Sequence, residues 1–292
     1  MRVAPGESWR FSGRTFSAEE LAWIKGLLGA ESLTRRQLAR RVCEQLNWIN
    51  RAGRLKEMSC RVALLRMDRA GLIHLPAPQQ PNTNGRISPK EWTIPRPEGP
   101  LRLGVGQLES VRLEVVQTEQ DAGWYRAMMR QHHYLGCKPM AGAQWRYLIW
   151  SGNWLLGGLG FGAAAWMMGA RDQWIGWSAR QRERRLEWIV SNSRFLLLPW
   201  VQGRDLGSWI LRQVARQLPQ DWESRYGYRP VLIESFVEED RFGGTSYQAA
   251  NWLCLGQTKG RGKLGKSPAP VVPIKHIFVC PLHADFRNLL CC

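Results

Sequence analysis

No C-x-x-C pair occurs anywhere in this 292-residue chain. That absence argues against a zinc ribbon or finger, whose paired thiolates come from such short spacings. The seven cysteines, Cys43, Cys60, Cys137, Cys254, Cys280, Cys291 and Cys292, are too few and too scattered for a disulfide framework. Free thiols in a reducing cytoplasm are expected. The first residues, MRVAPGESWRF, lack the apolar core of a secretory signal. No Ser-His-Asp arrangement, P-loop spacing or internal repeat is visible. Acidic residues are also scarce, 24 against 41 Lys plus Arg, a net charge of +17. An excess of this size predicts a polyanionic partner, with nucleic acid ahead of a membrane surface or an acidic protein. With 44% hydrophobic and 22% charged residues, the chain can bury a core, and global disorder is excluded.

Charge is missing altogether from Tyr147 to Ala170, a stretch long enough to cross a bilayer. Glycines at 152, 157, 158, 160, 162 and 169 interrupt it, and Ser151-Gly152-Asn153 is a turn signal. Two buried strands joined by a turn, Trp145–Trp150 and Trp154–Phe161, are therefore predicted instead of a membrane span.

What is present divides into two parts, residues 1–100 and 101–292, and predicts an α+β protein. In the first part, Ser17-Ala-Glu-Glu20 is a capping-box pattern opening a helix to about Leu28. Thr34 caps a second helix, with Leu38, Val42 and Leu46 on one face. A third helix runs from about Lys56 to Ala70, with Met58, Val62, Leu65 and the stem of Arg69 as its candidate inner face and Gly71 ending it. This order resembles a winged helix-turn-helix. Its wing would lie within 77–100 and return through Trp92-Thr93-Ile94. Residues 1–75 hold 14 Lys/Arg against 7 Asp/Glu. In such a domain the third helix enters the major groove, so Arg54, Lys56, Ser59, Arg61 and Arg66 are candidate DNA contacts. Arg35, Arg36, Arg40 and Arg41 of the second helix are candidate phosphate contacts. The same pattern also suits a protein-interaction module with a solvated basic face.

The second part alternates strands and helices. Strands are predicted at 111–116, 194–201, 230–237 and 274–279, with helices at 121–131, 183–189, 206–218 and 245–253. Trp174–Trp177 is expected in a strand or turn. The loop Gln202-Gly-Arg-Asp-Leu-Gly-Ser208 joins a strand to a helix, whose first amides offer an anion site. It resembles the pyrophosphate loop of the GNAT acyltransferase superfamily, R/Q-x-x-G-x-G/A. That resemblance implies a GNAT-like fold, with Gln202, Gly203, Gly207 and Ser208 as cofactor contacts if acyl-coenzyme A binds. Asp205 stands where the motif has glycine and brings a negative charge toward a diphosphate. A lost coenzyme site, with Asp205 as a simple helix cap, is the expected reading, and no cofactor is predicted.

Catalytic candidates are weak: His132, His133 and Glu234. Asp172, Glu234, Glu238, Glu239 and Asp240 are the acids from which a Mg²⁺ pair of a nuclease would be drawn. Residues 241–275 hold Arg241, Lys259, Arg261, Lys263, Lys266 and Lys275 and no acid. Within them, 258–266 reads as a glycine-spaced basic loop suited to phosphates, with Lys259, Arg261, Lys263 and Lys266 as contacts. Most of the sixteen tryptophans, among them Trp145, Trp154, Trp166 and Trp209, are expected in the core.

Several long motifs resemble the DruA family of the Druantia anti-phage defence system. They are HHYLG (132–136), FGAAAW (161–166), RDQWIGW (171–177), IVSNSRFLLLPWV (189–201), DWESRYGYRPVLIESFV (221–237), FGGTSYQAANWLCLGQTKGRG (242–262) and FVCPL (278–282). The resemblance spans roughly residues 15–292. It implies bacterial defence against phage or plasmid DNA beside a large helicase-like partner. Relatives also occur in front of DDE-type transposases, and this chain resembles the stand-alone form. No set of catalytic residues comes with the resemblance.

Overall fold

The computed structural model describes residues 8–30, 33–50, 53–78, 92–138, 140, 142–260 and 272–292. The chain forms two compact units, 1–87 and 88–292.

The first unit is a hairpin followed by three helices. Strands β1 (Ser8–Phe11) and β2 (Arg14–Ser17) pair antiparallel. Helix α1 (Ala18–Ala30) starts where the Glu20 amide donates to Ser17 Oγ and the Ser17 amide to Glu20, each at 3.2 Å. Helix α2 (Arg35–Gln45) is closed at its start by the reciprocal Thr34–Gln37 box. Helix α3 (Glu57–Arg69) ends at Gly71, whose φ of +71° is the left-handed conformation glycine takes without strain. Phe16, Leu21, Ile24, Leu38, Val42, Cys43, Cys60, Leu64 and Met67 form its core.

Two expectations change here. The inner face of α3 is Cys60, Ala63, Leu64 and Met67, whereas Met58 is 66% exposed and Val62 39%. The helix is rotated from the predicted phase because the buried stripe uses a small Cys and Ala where α2 approaches closely. Trp92-Thr93-Ile94 form no strand and belong to the second unit, where Ile94 packs with Tyr125 and Met128. The wing is expected within 77–100; of that stretch, residues 79–91 lie outside the described residues, and 92–100 form no strand.

The second unit is built on a seven-stranded sheet of order β10-β11-β9-β7-β6-β5-β4. Its strands are β4 (Val111–Val115), β5 (Trp145–Ser151), β6 (Trp154–Ala163), β7 (Ile189–Leu197), β9 (Leu232–Glu238), β10 (Leu253–Gln257) and β11 (Lys275–Pro281). Every neighbouring pair is antiparallel except β7 with β9. A separate two-stranded sheet pairs β3 (Leu101–Leu103) with β8 (Val201–Gly203) in parallel. Helices α4 (Glu119–His132) and α7 (Leu206–Tyr226) cover opposite faces of β5: Tyr147 and Ile149 share a core with α7, while Leu148 shares one with α4. The charge-free segment is the predicted hairpin, β5 and β6. Among the described residues no helix is long and apolar enough to cross a membrane.

Two glycines of β6, Gly158 and Gly160, make room for α4. A Cβ at Gly158 would stand 2.6 Å from Met128 Cε, and one at Gly160 would strike the Tyr125 hydroxyl. Four shorter helices complete the unit: α5 (Gly169–Ile175), α6 (Ala179–Arg185), α8 (Thr245–Ala249) and α9 (Phe286–Cys291). Trp174 is thus on a helix rather than in a strand, α6 starts four residues before the predicted position, and β7 starts five residues before its own. Helix α7 continues through the buried Pro219 to Tyr226.

Candidate functional site

Parallel pairing of β7 with β9 runs only from Ile189↔Leu232 to Asn192↔Ser235. Beyond that point β7 stays with β6 and β9 with β11, so the two strands part. The parting is filled by polar side chains that satisfy one another. Tyr247, from α8, donates to Asn192 Oδ1 at 2.9 Å and accepts from Ser235 Oγ at 3.1 Å. Asn192 Nδ2 donates to the Arg194 carbonyl at 3.0 Å. Burial pushes the Tyr247 phenol up to about 12, so it stays protonated.

The segment after α4 meets both arms of the parting. Arg194 of β7 donates to the Gly136 carbonyl at 3.0 Å, and the Tyr134 ring lies 5.6 Å from Phe242, in the turn after β9. Arg241 stands 5.2 Å over Tyr134 and pairs with Glu238 at 2.7 Å. His133 is buried, accepts the Leu135 amide at Nδ1 and stacks on Tyr134. Burial, aided by the Arg194 charge, lowers it to about 4, so it is neutral near pH 7. His132 turns elsewhere, edge-on to Trp200 at 5.3 Å. Burial and Arg96 lower it as well. The two histidines form no shared site.

The loop at the start of α7 shows why its motif carries a glycine. Asp205 has φ +62°, a left-handed conformation that glycine takes freely and aspartate tolerates. Asp205 occupies the N-cap position, but its side chain makes no capping bond. Its carboxylate is 56% exposed, 3.9 Å from Arg204. The cap expected from the sequence is therefore positional only. Gly207 is buried, and a Cβ there would lie 2.6 Å from Ser246 Oγ, so α7 and α8 touch at this point. These residues fit a coenzyme diphosphate poorly. A carboxylate stands beside the first amides of the helix, and α8 places Tyr247 in the parting.

Glu234 is not an open metal ligand. It is fully buried and accepts from Arg171 Nη1 at 2.6 Å and from the Ala165 amide at 2.7 Å. Arg171, also fully buried, reaches Asp172 at 2.7 Å, and Asp172 accepts from Trp177 Nε1 at 3.1 Å. Burial pushes the Glu234 carboxyl up while Arg171 pulls it back. Glu238, Glu239 and Asp240 do not join it: Glu238 pairs with Arg241, and Glu239 accepts from Gln257. Among the described residues no three His, Cys, Asp or Glu side chains gather as a metal site.

The basic candidates fall on two surfaces. On α3, Met58, Arg61, Val62, Arg66 and Arg69 are exposed, a stripe of three arginines and two apolar side chains opposite the buried face. On α2, Arg36, Arg40 and Arg41 are exposed; Arg40 pairs with Glu44 at 3.0 Å. Arg35 is half-buried and donates to the Pro76 carbonyl at 2.7 Å. Arg54 is exposed, while Lys56 and Ser59 are half-buried. In the later loop Lys259 is exposed, and Arg261, Lys263 and Lys266 lie outside the described residues.

The helix expected at 183–189 is α6, Ala-Arg-Gln-Arg-Glu-Arg-Arg, whose arginines were not among the candidate contacts. Arg182 stands 5.8 Å over Trp166, and Arg185 stands 4.8 Å over Trp188. Trp166 is 54% exposed and Trp154 41%, against their expected burial. Four arginines in seven residues were the available signal.

The geometry defines a mixed α+β protein with a helical basic unit and a sheet whose parallel pair parts around a buried tyrosine. The chain belongs to the family described as Druantia protein DruA, whose model matches residues 66–275. No curated protein matches it. Among solved structures it is similar to RimL, the ribosomal L7/L12 alpha-N-protein acetyltransferase. Identity is 14% and the TM-score 0.36, covering 60% of this chain and 96% of that one. It is similar also to an N-acetyltransferase from Staphylococcus aureus Mu50, at 10% identity and TM-score 0.33, covering 59% and 97%. A third is a probable GNAT-family acetyltransferase from Chromobacterium violaceum ATCC 12472, at 14% and 0.33, covering 64% and 93%.

Proposed function

We propose that the protein is the nucleic-acid-binding component of a Druantia-type anti-phage defence system, working in the cytoplasm beside a large helicase-like partner. One observation carries this reading: the exposed stripe of α3, with Arg61, Arg66 and Arg69 set among Met58 and Val62. In a winged helix-turn-helix this helix reads the major groove. Its arginines would meet phosphates or base edges, and its two apolar side chains would meet thymine methyl groups. Arg36 and Arg41 of α2 would add phosphate contacts. The charge of +17 supplies the sequence-independent part of binding.

The parting of β7 from β9 favours a second reading for the other unit, a scaffold of the GNAT acetyltransferase type. Asp205 and the α7–α8 contact oppose a bound diphosphate, so no acyl-transfer step follows. A nuclease reading loses its best residue, since Glu234 is held by Arg171. The test is a gel-shift and cleavage assay of the full chain on duplex and branched DNA, with and without Mg²⁺. Binding without cleavage is expected. Mg²⁺-dependent cleavage would replace this reading with the nuclease, and absence of binding would end it.

A further inference from the structure

A cavity of about 610 Å³ opens in the second unit between α7, the start of β9 and the residues after β11. Its lining combines the aromatic rings of Trp188 and Tyr228 with Arg216, Arg229 and His283. Pro219, from the interior of α7, lies among its apolar walls. Neither the strand parting nor the α3 stripe uses these residues.

We propose that this cavity takes one unstacked nucleotide of a single-stranded nucleic acid. The proposal rests on the nucleic-acid reading above but assigns a different surface from α3. Three observations meet here. Aromatic rings line a cavity roomy enough for a base, and stacking on an aromatic face suits every base. Cationic side chains line it beside the rings: Arg216 is exposed on α7, and Arg229 makes an exposed pair with Glu223 at 2.9 Å. Such a pair gives way readily to a phosphate, which offers the guanidinium the same two-oxygen, bidentate contact. Finally, His283 Nδ1 accepts the Asp285 amide at 3.0 Å, which leaves Nε2 as the protonated nitrogen and a donor. A strand threading past this point would also meet α6, since Arg185 lies 4.8 Å over Trp188. Duplex DNA keeps its bases stacked and cannot enter. The expected preference is for single strands, such as a helicase leaves behind.

The experiment compares fluorescence anisotropy of a labelled oligothymidine with that of a labelled duplex. It uses the full chain, its Arg216→Glu variant and its Tyr228→Leu variant. Arg216 is exposed, so its replacement keeps the fold even where Tyr228→Leu loosens it. Tyr228→Leu should weaken oligothymidine binding about five- to hundredfold, the range seen when one stacking platform is removed, and Arg216→Glu should weaken it by about fivefold or more through the reversed charge. Duplex binding should change less than twofold. Equal losses on both substrates would overturn the proposal, because the cavity would then contribute only general charge. So would unchanged oligothymidine binding in both variants. Full competition by free thymidine monophosphate at micromolar concentration would overturn the strand assignment in favour of a free nucleotide. Should Arg61→Ala with Arg66→Ala leave duplex binding intact while Arg216→Glu abolishes strand binding, the α3 reading fails and this one stands.

Discussion

Arg171 lies wholly out of water between Glu234 and Asp172, whereas Arg61, Arg66 and Arg69 stand out from α3 into solvent. The buried guanidinium is committed: each carboxylate and carbonyl it meets belongs to the same unit, and removing one partner strands a charge in the core. The exposed arginines contribute little to stability, since surface charges are worth about 0–1 kcal/mol. Arg66 and Arg69 gain something from the C-terminal end of the helix dipole, but Arg61, in the middle of the helix, gains nothing. The difference teaches where to look for binding. The charges and polar groups around β9, Tyr247 included, hold the second unit together, and the exposed charges on α3 are the ones the proposed DNA contact would use.

The largest effect should come from the buried side. Glu234→Ala leaves Arg171 Nη1 facing a void with Asp172 as its one remaining carboxylate, and should destabilise the protein by about 3–5 kcal/mol. Chemical denaturation measures this directly. A loss below 1 kcal/mol would break the comparison, since Arg171 would then have found water. Next, Tyr247→Phe removes one hydroxyl and leaves Asn192 Oδ1 short of a partner in the core, while Ser235 Oγ keeps the Asn192 carbonyl at 3.2 Å. About 1–3 kcal/mol should be lost.

His133 supplies a pH test. Unfolded, it takes a proton near pH 6.5; folded, only near pH 4, because burial opposes its charge. Between those values the unfolded chain binds more protons, so stability rises with pH there. Its contribution is whole above about 6.5, falls as pH drops and levels below 4. Replacing His133 with Gln should flatten that part of the stability–pH curve, read by thermal unfolding across the window.

How far the sequence reached depended on how local each signal was. Capping residues sit within four positions of what they cap, so Ser17 and Thr34 placed α1 and α2 correctly. The glycine-interrupted run from Tyr147 to Ala170 was readable as a hairpin because its turn lies inside it. The phase of α3 was missed, since Met58 and Val62 look like core residues until α2 is seen to lie against Cys60 and Ala63. The role of Glu234 was hidden because its partner Arg171 lies 63 residues away in sequence. Strand β7 was begun at Arg194, although the parallel pairing that defines the parting occupies Ile189–Asn192. The four arginines of α6 were legible in the sequence, but their helix was expected to start only at Glu183, which left Arg180 and Arg182 outside it.

A smaller effect sharpens the contrast at α7. The chain is expected not to bind acetyl-coenzyme A at micromolar concentration. Asp205→Gly relieves a left-handed residue but loosens the unfolded chain, so stability should change by less than about 1 kcal/mol. It also removes a carboxylate from beside the helix amides. At about 4 Å, like charges repel by about 1 kcal/mol in water and about 4 kcal/mol at an effective dielectric of 20. Because this side chain is half exposed, the lower end applies. Calorimetry with acetyl-coenzyme A should show no tight binding in the parent and at most a tenfold gain in the variant. Micromolar binding by the parent would move the acetyltransferase reading to first place.

The salt dependence of duplex binding addresses the α3 stripe most directly. Each phosphate neutralised by a cation adds about 0.9 to the slope of log affinity against log salt. The Arg61→Ala, Arg66→Ala double variant should therefore bind duplex DNA more weakly, with a slope shallower by about 2, while its unfolding free energy changes by less than about 0.5 kcal/mol. An unchanged slope and affinity in a folded double variant would contradict the account and remove α3 as the DNA surface.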